Sequence, residues 1–498
     1  MKYKAVGSEW LKQEYNLINY TITHCSYIGN KESIELTNKG NVEQVYGVKY
    51  APSEDTPLQH IEFSLKYDNL NLDFLRAIFE SLEASEIVGF IQVKPTGRYR
   101  RKIGFLYELL LGQNLPIENV VSGNYIDLLD KEKHITGNVV KNSRWRINNN
   151  LLGNSSFCPI VRKTRVLQQL LLENIAERIE KIRGNYPPEI FERATNYLYN
   201  KETRSSFEIE REEPSPEKIA RFVDLLAKAG SEAQERFLDE PRLVELQNAI
   251  VDPRFAAKAF RDFQNYIGGI LPDGRTNVDY ICPPGGIVRG LMDGLKEVNF
   301  KTTGLHSGIR AGIIAFSFVF IHPFEDGNGR IHRFLVHDIL AQDGHVPKGV
   351  IVPISAHMLN NRNKYDQILE KYSRPLMERI KYLQKDDGEI EMSNETKVDS
   401  YYRYPDLTDH CIYLLQVIQD SVFIDMFNEL LFIQRYDEIK KAIQNIVDMP
   451  NKPLNLMIRV LHQNSGTFPK RKREIFNKLS DEEITRMQAA YKEIFEIE

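Results

Sequence analysis

Residues 321–333 read I-H-P-F-E-D-G-N-G-R-I-H-R, and no other stretch restricts the fold as strongly. Pro323 stops whatever helix delivers His322, because it has no N–H to donate and its ring crowds the preceding turn. Gly327, Asn328 and Gly329 permit tight, partly left-handed backbone whose N–H groups can turn inward as an anion nest. Arg330 and Arg333 lie three apart at the head of an apolar-periodic run (Ile331, Phe334, Leu335, Ile339), so a helix puts both on one face. The nest therefore empties onto a helix N-terminus, where a phosphate is already favoured. His322 offers a base, and Asp326 offers a hard oxygen ligand suited to magnesium. Singly, a His before Pro or a D-G-N-G turn is a structural feature. Base, acid, nest and two same-face arginines in one short window point to a phosphate-handling site.

Residues 322–333 match every fixed position of H-P-F-x-[DE]-G-N-G-R-x-x-R, the signature of the Fic family. The chain therefore resembles enzymes that move AMP from ATP onto a protein hydroxyl. The resemblance implies a mainly α fold: a Fic-type helical core with a β-hairpin flap, a mixed α/β N-terminal region and a helical C-terminal extension. The corresponding division is 1–195, 196–385 and 386–498, with the resemblance strongest over residues 203–379. By resemblance, His322 is the catalytic base that takes the proton from a target Ser, Thr or Tyr. Gly327, Asn328 and Gly329 hold the α- and β-phosphates, with the Asn328 side chain adding a bond. Arg330 and Arg333 neutralise the leaving pyrophosphate, and Asp326 holds Mg²⁺. Phe324 anchors the loop in the core. Asn361 and Tyr365 fall in the segment that borders the adenine; without the resemblance they are a surface Asn and a core-facing Tyr.

Residues 205–213 read S-S-F-E-I-E-R-E-E, in isolation an acidic, solvated helix segment. Many Fic proteins carry an inhibitory motif, [ST]-x-x-x-E-[GN], upstream of the catalytic loop, and residues 206–210 match its first five positions. By resemblance, Ser206 and Glu210 form an inhibitory face, and Glu210 pairs with Arg333 in place of the γ-phosphate. Arg211 departs from the expected Gly or Asn, and a cation beside Glu210 is expected to compete with Arg333. Residues 265–284 place two short apolar arms around Pro272-Asp273-Gly274, which is hairpin chemistry. This resembles the Fic flap, on which a target protein docks by strand addition. Alternatives stay open. The same site suits transfer of UMP or phosphocholine, removal of AMP with Glu210 orienting a water, and self-modification. A protein-binding module with a silent loop is the alternative from another class, and an intact His322 argues against it.

The chain has 498 residues, 42% of them hydrophobic, enough for several cores. A net charge of −4 gives no whole-chain argument for a nucleic-acid or membrane partner. The four cysteines are far apart and form no C-x-x-C pair, so reduced thiols in a cytoplasmic protein are expected, not disulfides or zinc. The start, M-K-Y-K-A-V-G-S-E-W, has no apolar signal core, and the most apolar run, 313–321, is too short to span a bilayer.

Along the chain, 72–82 and 103–111 read as helices, and 87–93 (I-V-G-F-I-Q-V) as a strand or buried segment. Basic residues 98–102 and 469–473 read as solvated helix starts. Residues 145–162 read as loop, 166–182 as one helix, and Pro187-Pro188 as the start of the next. Helices are expected over 217–229, through 250, and again over 254–263. Residues 305–321 are apolar almost all round, a buried helix that delivers His322 at its C-terminus. That terminus and Asp326 favour a protonated His322 and Arg330 opposes it; the sequence leaves the balance open. His332 and His337 are five apart, a poor helical spacing for shared metal ligation. Residues 385–397 read as linker or edge hairpin. The remainder is helical, with breaks between 411–422, 426–434 and 439–447, and a capping box at Ser480.

Overall fold

The computed structural model describes residues 3–37, 41–233, 236–270, 276–385 and 388–496. Its axis is the helix Ser307–Ile321, all of whose residues are buried. The expected absence of a polar face is thus met by packing on every side. The helices Gly285–Lys301, Asn328–Gln342 and Thr408–Asp420 pack around it. The same apolar core takes in side chains from Ile135 to Ile182 and from Ile390 to Leu430. A second core, from Leu11 to Ile160 with Tyr404, lies under a four-stranded N-terminal sheet and its helices. In that sheet the strands His24–Gly29 and Val42–Gly47 run parallel, and the outer pairs are antiparallel. A third core, from Ile439 to Tyr491, closes the C-terminal helices. Among the described residues no helix is long and apolar enough to cross a membrane.

Several elements depart from the sequence expectations, each for a local reason. Residues 87–93 are not a strand: the helix Ala84–Gln92 buries Ile87 and Ile91, one turn apart, and leaves Val93 outside. The basic run before residue 103 does start a helix, Arg98–Leu111, but Arg101 and Lys102 are buried. They donate to the Asn124 and Leu128 carbonyls, which a solvated reading cannot supply. Only Pro253–Phe255 forms a short 3₁₀ turn where 254–263 was expected to be helical. Side chains take the place of helix acceptors there: Gln247 Oε1 accepts from Ala257 N–H and Glu240 Oε1 from Phe260 N–H. The 166–182 helix is two, because Asn174 caps a new start, Ile175–Gly184. The 385–397 stretch holds the second arm of a hairpin, Tyr382–Gln384 with Ile390–Met392, and then a helix, Glu395–Arg403. A π-helical segment, Ser421–Met426, carries Thr408–Asp420 straight into Phe427–Ile446, so the breaks read near 422 and 434 do not occur. The capping box at Ser480 is present.

One buried ion pair joins the N-terminal core to the helical body. Arg379 Nη1 donates to Asp73 Oδ2 at 2.6 Å, and Ser400 Oγ donates to Asp73 Oδ1 at 2.6 Å. Asp73→Ala is expected to destabilise by about 3–5 kcal/mol, because it strands a buried guanidinium. Replacing both partners together, Asp73→Leu with Arg379→Met, should recover most of that loss. Denaturant unfolding of the two variants checks it; a loss under about 1 kcal/mol for the single change would contradict the role given to the pair.

Candidate active site

His322 closes the central helix in a left-handed conformation, φ 52° and ψ 59°. Pro323 then prevents any further helical turn. The loop folds back on itself through Asn328, whose Oδ1 accepts from Phe324 N–H at 3.0 Å and whose Nδ2 donates to the Phe324 carbonyl at 2.8 Å. The Asn328 side chain is therefore a staple inside the loop, and one of its two amide N–H donors is left for the phosphate bond expected of it. Phe324 is buried against Phe260 and Phe318, as an anchor should be. Gly327, at φ 90°, turns the chain into the helix Asn328–Gln342. The first N–H groups of that helix have no intrahelical acceptor and form the anion-favouring end.

A carboxylate already lies over that end. A Cβ at residue 329 would collide with the Glu210 carboxylate, so the close approach requires Gly329. The helix Pro188–Ile209 runs antiparallel to Asn328–Gln342, and the two are joined by rungs four residues apart. Glu202 Oε1 lies 2.7 Å from His337 Nε2. Arg333 donates through Nε to Ser206 Oγ at 2.9 Å and through Nη2 to the Ser206 carbonyl at 2.7 Å. Arg333 Nη2 also donates to Glu210 Oε1 at 2.8 Å. Burial pushes the Glu210 carboxyl up, and the Arg333 guanidinium more than reverses this and holds it below its ordinary value. Glu202 was not singled out from the sequence. It is fully buried and also accepts from Ser355 N–H at the start of Ile354–Asn360, which fixes the register of the ladder.

The helix Pro188–Ile209 ends in a Schellman motif. Glu212 N–H donates to the Phe207 carbonyl and Arg211 N–H to the Glu208 carbonyl, with Arg211 left-handed at φ 58°. Gly and Asn suit that position because they tolerate positive φ. Arg211 points to solvent and forms no ion pair among the described residues, so it does not compete for Glu210 as expected. The turn instead delivers Glu212, whose Oε2 accepts from Arg330 Nη1 at 2.6 Å. Arg330 Nη2 donates to Asp326 Oδ1 at 2.9 Å, and its guanidinium lies over the Phe207 ring. Both arginines of the loop are thus engaged by carboxylates from one short segment.

His322 Nδ1 faces the Val319 carbonyl at 3.2 Å, which assigns the proton to Nδ1 and leaves Nε2 as the basic atom. Burial, then the Arg261 charge, lower its pKa to about 4 against the opposing pull of Glu210 and Asp326. Burial and the Arg261 charge together favour the neutral ring, the side of the balance that the sequence leaves open. Asp326 keeps Oδ1 on Gly327 N–H and Arg330, and its side chain is 56% exposed. No group of three or more His, Cys, Asp or Glu side chains able to cage a metal occurs among the described residues. A lone exposed carboxylate fits Mg²⁺, which keeps most of its waters and shares phosphate oxygens. His332 Nδ1 faces the Ala315 carbonyl and His337 Nε2 faces Glu202.

Tyr365 is buried beside Arg333. The Asn361 amide donates to the His357 carbonyl at the junction of Ile354–Asn360 and Arg362–Met377. The neighbouring Arg362 donates to the Ile209 carbonyl, at the end of Pro188–Ile209, at 3.0 Å. The flap is an antiparallel hairpin, Tyr266–Ile270 with Thr276–Ile281, bulged at Ile267/Gly268. Pro272-Asp273-Gly274 lies outside the described residues. Asn265 Nδ2 reaches the Phe324 and Glu325 carbonyls at 3.4 Å, tying the flap base to the loop.

Residues 237–340 match the Fic/DOC family. A stretch of 121 residues is 33% identical to "Protein adenylyltransferase Fic" of Drosophila yakuba, covering 24% of this chain and 21% of that protein. The protein of the same name from Drosophila melanogaster is 32% identical over 121 residues, with the same coverage. The match thus spans about a fifth of the length of these relatives. Among solved structures, a Fic family protein from Desulfovibrio desulfuricans G20 is similar at a TM-score of 0.38 and 18% identity, covering 56% of this chain and 80% of that one. A Fic domain containing signaling protein from Bacteroides thetaiotaomicron is similar at a TM-score of 0.33 and 18% identity, covering 51% of this chain and 97% of that one.

Two outcomes follow from the geometry alone. In NMR titration the His322 ring should stay neutral through pH 6 and protonate near pH 4, because a base with a depressed pKa gains its proton only below that value; a midpoint near 6.5 would contradict its burial. Arg211→Gly should stabilise the chain by about 1 kcal/mol through relief of the left-handed strain, read as a higher thermal midpoint.

Proposed function

We propose that this chain, which carries a Fic/DOC domain at residues 237–340, transfers AMP from ATP to a Ser, Thr or Tyr hydroxyl of a protein or of itself, and that Glu210 and Glu212 hold it inactive. The observation that carries the reading is a neutral His322 with a free Nε2 near a helix N-terminus on which a carboxylate sits where a phosphate would. The nest at Gly327, Asn328 and Gly329, where the helix Asn328–Gln342 starts, binds phosphate oxygens through backbone N–H groups. Arg330 and Arg333, released from their carboxylates, neutralise the leaving pyrophosphate. His322 Nε2 accepts the proton of the attacking hydroxyl. The hydroxyl oxygen bonds to the α-phosphorus as the bond from that phosphorus to the α,β-bridging oxygen breaks. Asp326 would hold Mg²⁺, which supplies charge neutralisation to the phosphates when bound with ATP. The target protein docks on the flap, and general-base help is worth about 10²–10⁴ in rate.

The inhibitory reading is a matter of shared acceptors. The buried Arg333 guanidinium, gripped by the partly exposed Glu210 carboxylate, is not available to a γ-phosphate, and a nucleotide seated without that anchor is misplaced. A displacement of about 1 Å costs about 10²-fold.

The direct test is incubation with Mg²⁺ and ATP labelled at either the α or the γ position. Label on protein from the α position only supports the reading; label from γ means a kinase and overturns it. Glu210→Gly should raise labelling by tenfold or more, and Glu210→Gly with Glu212→Ala should raise it further, since Arg330 is then also free (~10-fold per freed anchor). Adding His322→Ala should abolish it. No rise in either variant would leave residues 206–212 an ordinary acidic helix end. Loss of AMP removal in the Glu210 variant would favour the reverse reaction.

Asp326→Ala should lower labelling in a manner that excess Mg²⁺ partly restores, because the residue acts through the ion. Magnesium titrations of both proteins decide this; superimposable curves would remove Asp326 from the metal role.

A further inference from the structure

The end of the central helix presents a run of carbonyl oxygens, and the structure accounts for each of them. The Phe318 carbonyl accepts from His322 N–H and the Val319 carbonyl faces the His322 ring. The Phe320 carbonyl accepts from the Tyr280 hydroxyl. The Ile321 carbonyl accepts from Arg261 Nη2 at 3.3 Å and the His322 carbonyl from Arg261 Nε at 2.7 Å. The Pro323 carbonyl accepts from Arg261 N–H at 2.9 Å. Every acceptor from 320 to 323 is thus satisfied from the two segments that enter and leave the flap. Helix ends leave four carbonyls without internal partners, and a buried one left unpaired is costly. Here the flap supplies the cap.

Arg261 is the centre of this cap. It is 4% exposed and forms no ion pair with a carboxylate among the described residues. Its remaining donors reach the Phe263 carbonyl at 2.6 Å and the Pro283 carbonyl at 2.8 Å. One planar fork therefore binds the chain entering the hairpin, the chain leaving it, and the two residues that present the base. Only arginine has five N–H donors in such a fixed fork; lysine has three on a flexible stem. A cation at a helix C-terminus is also favoured by the helix dipole.

We infer that Arg261 is a positioning residue that makes the flap and His322 one rigid body, so that a segment docked on the flap arrives with its hydroxyl at a fixed place relative to Nε2. Arg261 bonds to the backbone of both elements, and its charge also favours the neutral His322 ring. The inference rests on the proposed AMP transfer for its catalytic consequence and on the hydrogen bonds alone for its mechanical one.

The test uses the full chain in the Glu210→Gly background, with self-modification from α-labelled ATP and Mg²⁺ as the rate and amide hydrogen exchange as the mechanical readout. Arg261→Lys should lower kcat by about tenfold or more while KM for ATP stays within about twofold, since nucleotide contacts are elsewhere. Exchange should rise jointly at residues 263–268, 280–283 and 322–325 and nowhere else. Unchanged kcat, or a fall in kcat matched by weaker ATP binding, overturns the inference. Tyr280→Phe removes only the hydroxyl on the Phe320 carbonyl and serves where Arg261→Lys does not fold. It should lower kcat severalfold and raise exchange at the same residues, and no change in either sinks the cap. If Glu210→Gly carries no label at all, AMP transfer is wrong, and the exchange pattern still decides whether flap and base are joined.

Discussion

On the proposed reading the site depends on one contest, between a carboxylate and a phosphate for the same helix N-terminus and the same arginine. A helix start offers unpaired N–H groups and a positive dipole end, which suit an anion of either kind. Glu210 takes that place through the geometry of two antiparallel helices. Glu202, Ser206 and Glu210 fall on one face of Pro188–Ile209, and His337, Arg333 and Gly329 fall opposite them. The repeat of four on each side keeps successive rungs in step. A buried first rung fixes the register, so the last rung is placed by construction and not by its own strength.

That arrangement explains why the loop is built from backbone. The Asn328 side chain is engaged in holding the loop shape, and Phe324 in anchoring it. What remains to meet a ligand is the N–H array, the two guanidinium groups and the His322 ring. Each is fixed by the core: the arginines by burial, the ring by the Val319 carbonyl, the backbone by Pro323 and Gly327. On the proposed reading, once the arginines leave their carboxylates little further reorganisation is required, which is what electrostatic stabilisation of the transferred group demands.

Much of this was legible in the sequence because it is local. The 321–333 stretch, the buried helix before it, the hairpin arms and the Ser206–Glu210 spacing are each set by neighbours within a few residues. The failures have separate physical causes. Arg101, Lys102 and Arg261 read as solvated or went unnoticed because their acceptors are carbonyls, which every residue has and no pattern marks. Residues 254–263 lost their helix to side chains of Gln247 and Glu240, supplied from the preceding helix. The role of Glu212 depends on a left-handed turn, and at Arg211 the residue type that would announce such a turn is missing.

That turn has a consequence of its own. A side chain with a Cβ in the left-handed region carries strain of about 1–2 kcal/mol, which the closed segment bears and an unwound one does not. On the proposed reading, Arg211 therefore shifts the population of the open form upward by roughly five- to thirtyfold relative to a glycine. The opening needs only the last helical turn to fray, a local event that leaves the Glu202 rung buried. A residue that touches nothing in the site would then set how much the enzyme leaks at rest, as the preload of a spring sets the force at which a latch gives.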